Sequence, residues 1–142
     1  MSVTTGFFYE DLRLGMSATL ERQVTDEEIR RFSEISGDTN PVHLDEAFAK
    51  TTRFGGRIAQ GMLGASFISA VIGSKLPGYG TIYLSQNLSF RAPVRLGDTV
   101  ITEAVVTELR PEKSRILLKT TCRVGATVVI DGEALVMVPK RG

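Results

Sequence analysis

The chain has 142 residues, of which 42% are hydrophobic and 23% charged, and that length suits one compact domain, residues 1–142, with a core of its own. Its 17 Lys and Arg against 16 Asp and Glu leave a net charge of +1, a balance that argues against nucleic acid or an anionic membrane as the main partner. A single cysteine, Cys122, excludes an intramolecular disulfide and counts against a zinc cluster.

Met1 to Asp11 has neither the basic start nor the apolar centre of a signal peptide, which predicts a cytoplasmic protein. Met16–Val24 alternates Met16, Ala18 and Leu20 as a short strand does. Thr25-Asp26-Glu27-Glu28 then reads as a helix start: Thr25 caps, Glu28 sits at the capping-box position, and the acids suit the positive helix end. Ile29, Phe32 and Ile35 follow as one apolar stripe. Gly37 stops the helix, Asp38-Thr39-Asn40-Pro41 is turn chemistry, and a second short helix runs from Asp45, as cap, to Lys50.

Gly61 to Leu76 is apolar or small on every side, with no charge before Lys75, so the helix it predicts should be buried all round. It is too short and too rich in Gly and Ser to span a membrane. Phe67, Ile68, Val71 and Ile72 are core positions on it. After Gly80 the pattern changes to strands over Thr81–Phe90, Asp98–Leu109, Ser114–Val124 and Thr127–Val138, joined by short turns that favour an antiparallel meander. The class is α+β: a long central helix wrapped by a curved antiparallel sheet.

The only histidine, His43, stands five residues after Asp38. Pro41 fixes its own φ and keeps Asn40 out of the helical region, so the segment between them is a stiff turn. Such a turn can aim a carboxylate and an imidazole at one water, which is what adding water across a double bond, or removing it, requires. The same residues also read as a plain helix stop with a satisfied histidine. At the start of the long helix, Gly61 exposes free backbone N–H groups and has no side chain to block an acyl oxygen as charge develops on it. Tight packing against the sheet is the competing account of that glycine, and the better one from these residues alone.

Phe32 to His43, reading Phe-Ser-Glu-Ile-Ser-Gly-Asp-Thr-Asn-Pro-Val-His, resembles the signature of the (R)-specific enoyl-CoA hydratases within the MaoC-like dehydratase family. Ile58-Ala59-Gln60-Gly61-Met62-Leu63, Tyr83 to Phe90, Pro93-Val94 and Gly97-Asp98 extend the resemblance over most of the chain. It implies the hot-dog fold, a homodimer with sheets joined edge to edge, and reversible hydration of a trans-2-enoyl-CoA to the (R)-3-hydroxyacyl-CoA. Asp38 and His43 would be the catalytic pair and Gly61 the donor to the thioester oxygen, with Asn40 and Ser69 in support. No metal or redox cofactor is implied, since coenzyme A arrives as part of the substrate.

The family often has His where this chain has Gln60, which either meets the acyl-pantetheine arm or caps the helix. Ile72 is well placed to limit acyl length. Arg53, Arg57, Arg91, Arg95, Lys113 and Arg115 are candidates for the phosphates, although solvated surface is the default for each. The nearest alternative is a (3R)-hydroxyacyl-[acyl carrier protein] dehydratase. A thioesterase and a non-catalytic acyl-thioester-binding module are the other rivals.

Overall fold

The computed structural model describes residues 6–142; residues 1–5, the beginning of the stretch expected to carry no leader, lie outside the described residues. Strand β1 (Ser17–Gln23) leads into helix α1 (Asp26–Ser36), then two short helices, α2 (Pro41–Leu44) and α3 (Glu46–Lys50), and the long helix α4 (Gly61–Ser74). Four strands follow: β2 (Ile82–Phe90), β3 (Thr99–Arg110), β4 (Arg115–Val124) and β5 (Thr127–Met137). The class is α+β, as expected, and every strand pairing is antiparallel.

Helix boundaries follow local chemistry. The Thr25 hydroxyl accepts the Glu28 N–H at 3.2 Å, and Gly37 ends α1 in the left-handed region at φ 82°. The other half of the expected capping box is absent, because the Glu28 carboxylate turns to Arg22 instead. Ile29 is fully buried, but Ile35 at the end of the predicted stripe is 85% exposed, since six positions at about 100° each turn it some 120° round the helix from Ile29, and Ser33 shares the buried face instead. Asp45 caps α3 by accepting the Phe48 N–H at 3.1 Å, as its position suggests.

The sheet order is β1-β3-β4-β5-β2. The expected meander therefore holds for β3, β4 and β5 only, while β2 crosses to the far edge and pairs with β5. Alternation does the rest: Val100, Thr102, Ala104 and Val106 of β3 all face inward. Cys122 is a buried core residue of β4, and burial pushes its thiol pKa up.

Helix α4 packs on this inner face through Leu63, Gly64, Phe67, Ile68, Val71 and Ile72. Burial on every side, as the composition suggested, is not what the chain adopts. Met62, Ser66, Ser69, Ala70 and Gly73 form an exposed face, because a single sheet covers only one side of a helix.

Candidate active site

The segment from Gly37 to His43 is part turn and part helix. An oxygen of the Asp38 carboxylate accepts the Asn40 N–H at 3.1 Å, and the Asn40 side chain accepts the Val42 N–H at 3.2 Å. Asn40 is thus the N-cap of α2 and Pro41 its first residue, where the missing proline N–H is no loss. His43 sits inside this single helical turn rather than in an open loop.

The imidazole has a defined orientation. His43 Nδ1 lies 2.8 Å from the carbonyl oxygen of Ile58. A carbonyl only accepts, so Nδ1 carries the proton and the neutral ring presents a lone pair at Nε2. Nε2 faces Asp38 Oδ2 at 3.7 Å, too far for a direct hydrogen bond. Both atoms therefore remain free to share a third group, and an oxygen about 2.8 Å from each closes the triangle. The histidine side chain is 10% exposed and the aspartate 43%, so the pair spans the boundary between protein and solvent.

A cavity of about 470 Å³ reaches this pair. Asp38, His43, Gln60 and Gly61 give it one polar wall, and the buried Leu63, Val100 and Ile130 give it an apolar interior. Exposed Arg53, Phe90 and Arg91 mark its opening. Gly61 is the first residue of α4, and no side chain caps the helix there, so its first N–H groups stay available. A Cβ on Gly61 would come within 2.7 Å of the Phe90 ring, so a side chain at this position would meet the cavity wall.

Residue by residue, the structure brings together Asp38, His43, Gly61 and Gln60. Gln60 lines the cavity, as expected of a pocket residue, but its side chain does not cap α4: its amide donates to the Ile29 carbonyl at 2.9 Å and the Ser33 hydroxyl at 2.8 Å, tying α4 to α1. Its carbonyl oxygen is buried without a partner. Ser69 lies on the exposed face of α4, about 12 Å along the axis from Gly61, and does not line the cavity. Ile72 is fully buried in the core and does not line it either, so the apolar wall falls to Leu63, Val100 and Ile130.

Arg57 departs furthest from expectation. Its side chain is 9% exposed, its Nη2 pairs with Asp26 at 2.6 Å, and its Nε donates to the His43 carbonyl at 2.7 Å. Hydrogen bonds from Arg57, then Arg30, hold the Asp26 carboxyl below the usual carboxylate range. Sequence reasoning also passed over Phe54, Phe90, Val100 and Ile130 as cavity residues, because no local pattern joins positions so far apart. Among the described residues, no three His, Cys, Asp or Glu side chains gather as a metal site, and no helix is long and apolar enough to cross a membrane.

Comparison with known proteins decides the family. A family model described as MaoC like domain matches residues 13–129. The chain belongs to the MaoC-like family. An (R)-specific enoyl-CoA hydratase of Rhodospirillum rubrum is 53% identical to this MaoC-like chain, over 95% of it and 94% of the relative. A 3-hydroxybutyryl-CoA dehydratase of Methylorubrum extorquens is 52% identical over 94% and 85% of the two chains. Among solved structures, the unliganded R-hydratase PhaJ1 from Pseudomonas aeruginosa superposes with a TM-score of 0.91 at 43% identity, covering 96% of this chain and 88% of that one.

Proposed function

We propose that this chain is an (R)-specific hydratase that reversibly adds water to a trans-2-enoyl-CoA, giving the (R)-3-hydroxyacyl-CoA. The observation that carries this is the convergence of Asp38, the Nε2 lone pair of His43 and the open amide of Gly61 on one cavity with an apolar interior. The (R) configuration and the coenzyme A carrier rest on the names of relatives 53% and 52% identical over nearly the whole chain.

The chemistry follows from what each group can accept or give. Water sits between Asp38 Oδ2 and His43 Nε2. Nε2 takes one proton as the water oxygen bonds to C3 of the enoyl group, while Asp38 accepts the second O–H hydrogen bond and fixes the direction of attack. The π electrons move through C2 onto the thioester oxygen, where the Gly61 N–H and the positive end of α4 meet the developing charge. The imidazolium, held by the Ile58 carbonyl and the Asp38 carboxylate, then returns its proton to C2. Atoms and charge balance with no redox partner, because the thioester itself is the electron sink.

The polarity of the cavity supports a direction for the substrate. The acyl tail lies toward Leu63, Val100 and Ile130, and the carrier leaves past Arg53 and Arg91. The whole chain acts as one hot-dog domain, its sheet packed over one side of α4. It works as a homodimer through the β2 edge, where Ile82, Tyr83, Leu84 and Phe90 are exposed, and through the uncovered face of α4. Cys122, a buried free thiol, suits a reducing compartment such as the cytoplasm.

The test is an absorbance assay on crotonyl-CoA with chiral analysis of the product. Loss of the enoyl thioester band with formation of (R)-3-hydroxybutyryl-CoA is expected. Release of free thiol would mark a thioesterase, and binding without absorbance change would mark a non-catalytic module; either overturns the proposal. A faster rate on the carrier-protein thioester than on the coenzyme A thioester would shift it to the dehydratase of fatty-acid synthesis.

A further inference from the structure

We infer that Arg57 is a positioning residue for His43: its partly buried guanidinium grips the main chain of the histidine and so holds the ring in the one tautomer and direction that leaves Nε2 free.

The segment just before α4 makes the argument. The Arg57 Nε donates to the His43 carbonyl at 2.7 Å, and the next residue, Ile58, accepts from the same histidine's Nδ1 at 2.8 Å. The Ile58 N–H also donates to the Val42 carbonyl at 3.3 Å. His43 is therefore bound three ways to two consecutive residues: by its own carbonyl, by its ring and through its neighbour Val42.

Of the three, the Arg57 contact alone is charge-assisted, and such bonds are roughly twice as strong as neutral ones. It is also anchored from behind. The Nη2 of Arg57 pairs with Asp26 in the first turn of α1, 31 residues away in the chain. A planar guanidinium can serve both partners at once from a rigid fork; an ammonium on a lysine stem cannot hold the same two directions.

Without the fork, the α2 turn is tied to this segment only by two neutral bonds to Ile58, one from the His43 ring and one from the Ile58 N–H to the Val42 carbonyl. The carbonyl of His43 loses its donor in a partly buried setting, which favours a shift of the turn toward water. The distance from Nδ1 to the Ile58 oxygen then opens, and the second tautomer, with the proton on Nε2, becomes populated. That tautomer has no lone pair facing Asp38. The kinetic consequence rests on the proposed hydratase chemistry, whereas the consequence for the ring does not.

The histidine count makes this measurable. His43 is the only histidine in the chain, so one set of imidazole signals in a ¹⁵N-labelled sample belongs to it. The neutral ring of the wild-type protein is expected to show a single Nδ1–H tautomer. Arg57→Met, which keeps much of the apolar stem, and Arg57→Lys, which keeps a cation beside Asp26, are each expected to show a mixture of tautomers. Their circular dichroism should stay that of the wild type. In the same samples kcat for crotonyl-CoA should fall about 10²-fold, as misplacement by about an ångström does, with KM within about threefold.

If Arg57→Met fails to fold, Arg57→Lys carries the test alone. A folded variant whose imidazole remains one Nδ1–H tautomer overturns the inference, whatever its activity. A mixed tautomer in a protein whose wild type hydrates nothing would uphold the role of Arg57 and sink the hydratase proposal instead.

Discussion

At the scale of single residues, three atoms define the site, and each is fixed by a different kind of constraint. Nε2 of His43 is free because Nδ1 is occupied by the Ile58 carbonyl. Asp38 is held by its own turn, and Gly61 is held open by having no side chain. Gly61→Ala should separate packing from chemistry. Its methyl group would meet the Phe90 ring within 2.7 Å, but that ring is exposed and can swing outward. Unfolding free energy is expected to change by less than about 1 kcal/mol. Michaelis kinetics on crotonyl-CoA should show kcat/KM about tenfold lower, since the methyl group and the displaced ring both enter the cavity. The spacing of Asp38, Asn40, Pro41 and His43 was legible because turn and cap rules act over a few residues. Arg57 was not: its partners Asp26 and His43 lie 31 and 14 residues away, and nothing local distinguishes it from a solvated arginine.

At the scale of elements, the site stands where two helix ends meet. Helix α1 delivers Asp38 just past its end, and α4 begins at Gly61, with the Gln60 amide bonded to Ile29 and Ser33 of α1 to hold the two together. The end of α1 depends on Gly37, whose φ of 82° is strained for any residue with a side chain. No atom lies within 4 Å of a Cβ built there, so Gly37→Ala has no steric cost beyond the backbone itself. Denaturant unfolding of Gly37→Ala should lose about 1 kcal/mol, and Gly37→Asn less, because asparagine tolerates the left-handed region better. An unchanged midpoint would mean that α1 ends elsewhere in solution. Strand positions and the helix ends at Thr25, Gly37 and Asp45 were readable in advance, as the β4 alternation of Ile116, Leu118 and Cys122 illustrates for the strands. The place of β2 was not, since pairing with β5 rather than β3 depends on which edge is free after the meander closes. The one-sided burial of α4 escaped for a related reason: small residues look alike whether they face a packed neighbour or water.

At the scale of the whole molecule, the sheet leaves an edge that asks for a partner. β2 is mostly exposed and carries Ile82, Tyr83 and Leu84 on that edge. Sedimentation of the wild type should give twice the mass of one chain, and Leu84→Lys should shift the equilibrium toward monomer; a monomeric wild type would contradict the edge-to-edge dimer. Acid stability depends on the clasp between α1 and the site. The carboxyl of Asp26 is held by Arg57 and Arg30 below its ordinary value of 3.8. That pairing therefore stabilises the fold above about pH 4 and fades as the pH falls through the lower folded value. Asp26→Asn should flatten this part of the acid limb in pH-dependent unfolding, with little effect near neutrality beyond the lost surface pairing. The central claim remains the water shared by Asp38 and His43, and the most direct measurement is the turnover of crotonyl-CoA by His43→Gln and Asp38→Asn beside the wild type. Both variants should keep the wild-type fold and KM within about threefold while kcat falls about 10³-fold, within the range that positioned acid–base groups supply. Hydration by either variant at a rate near that of the wild type would contradict the account.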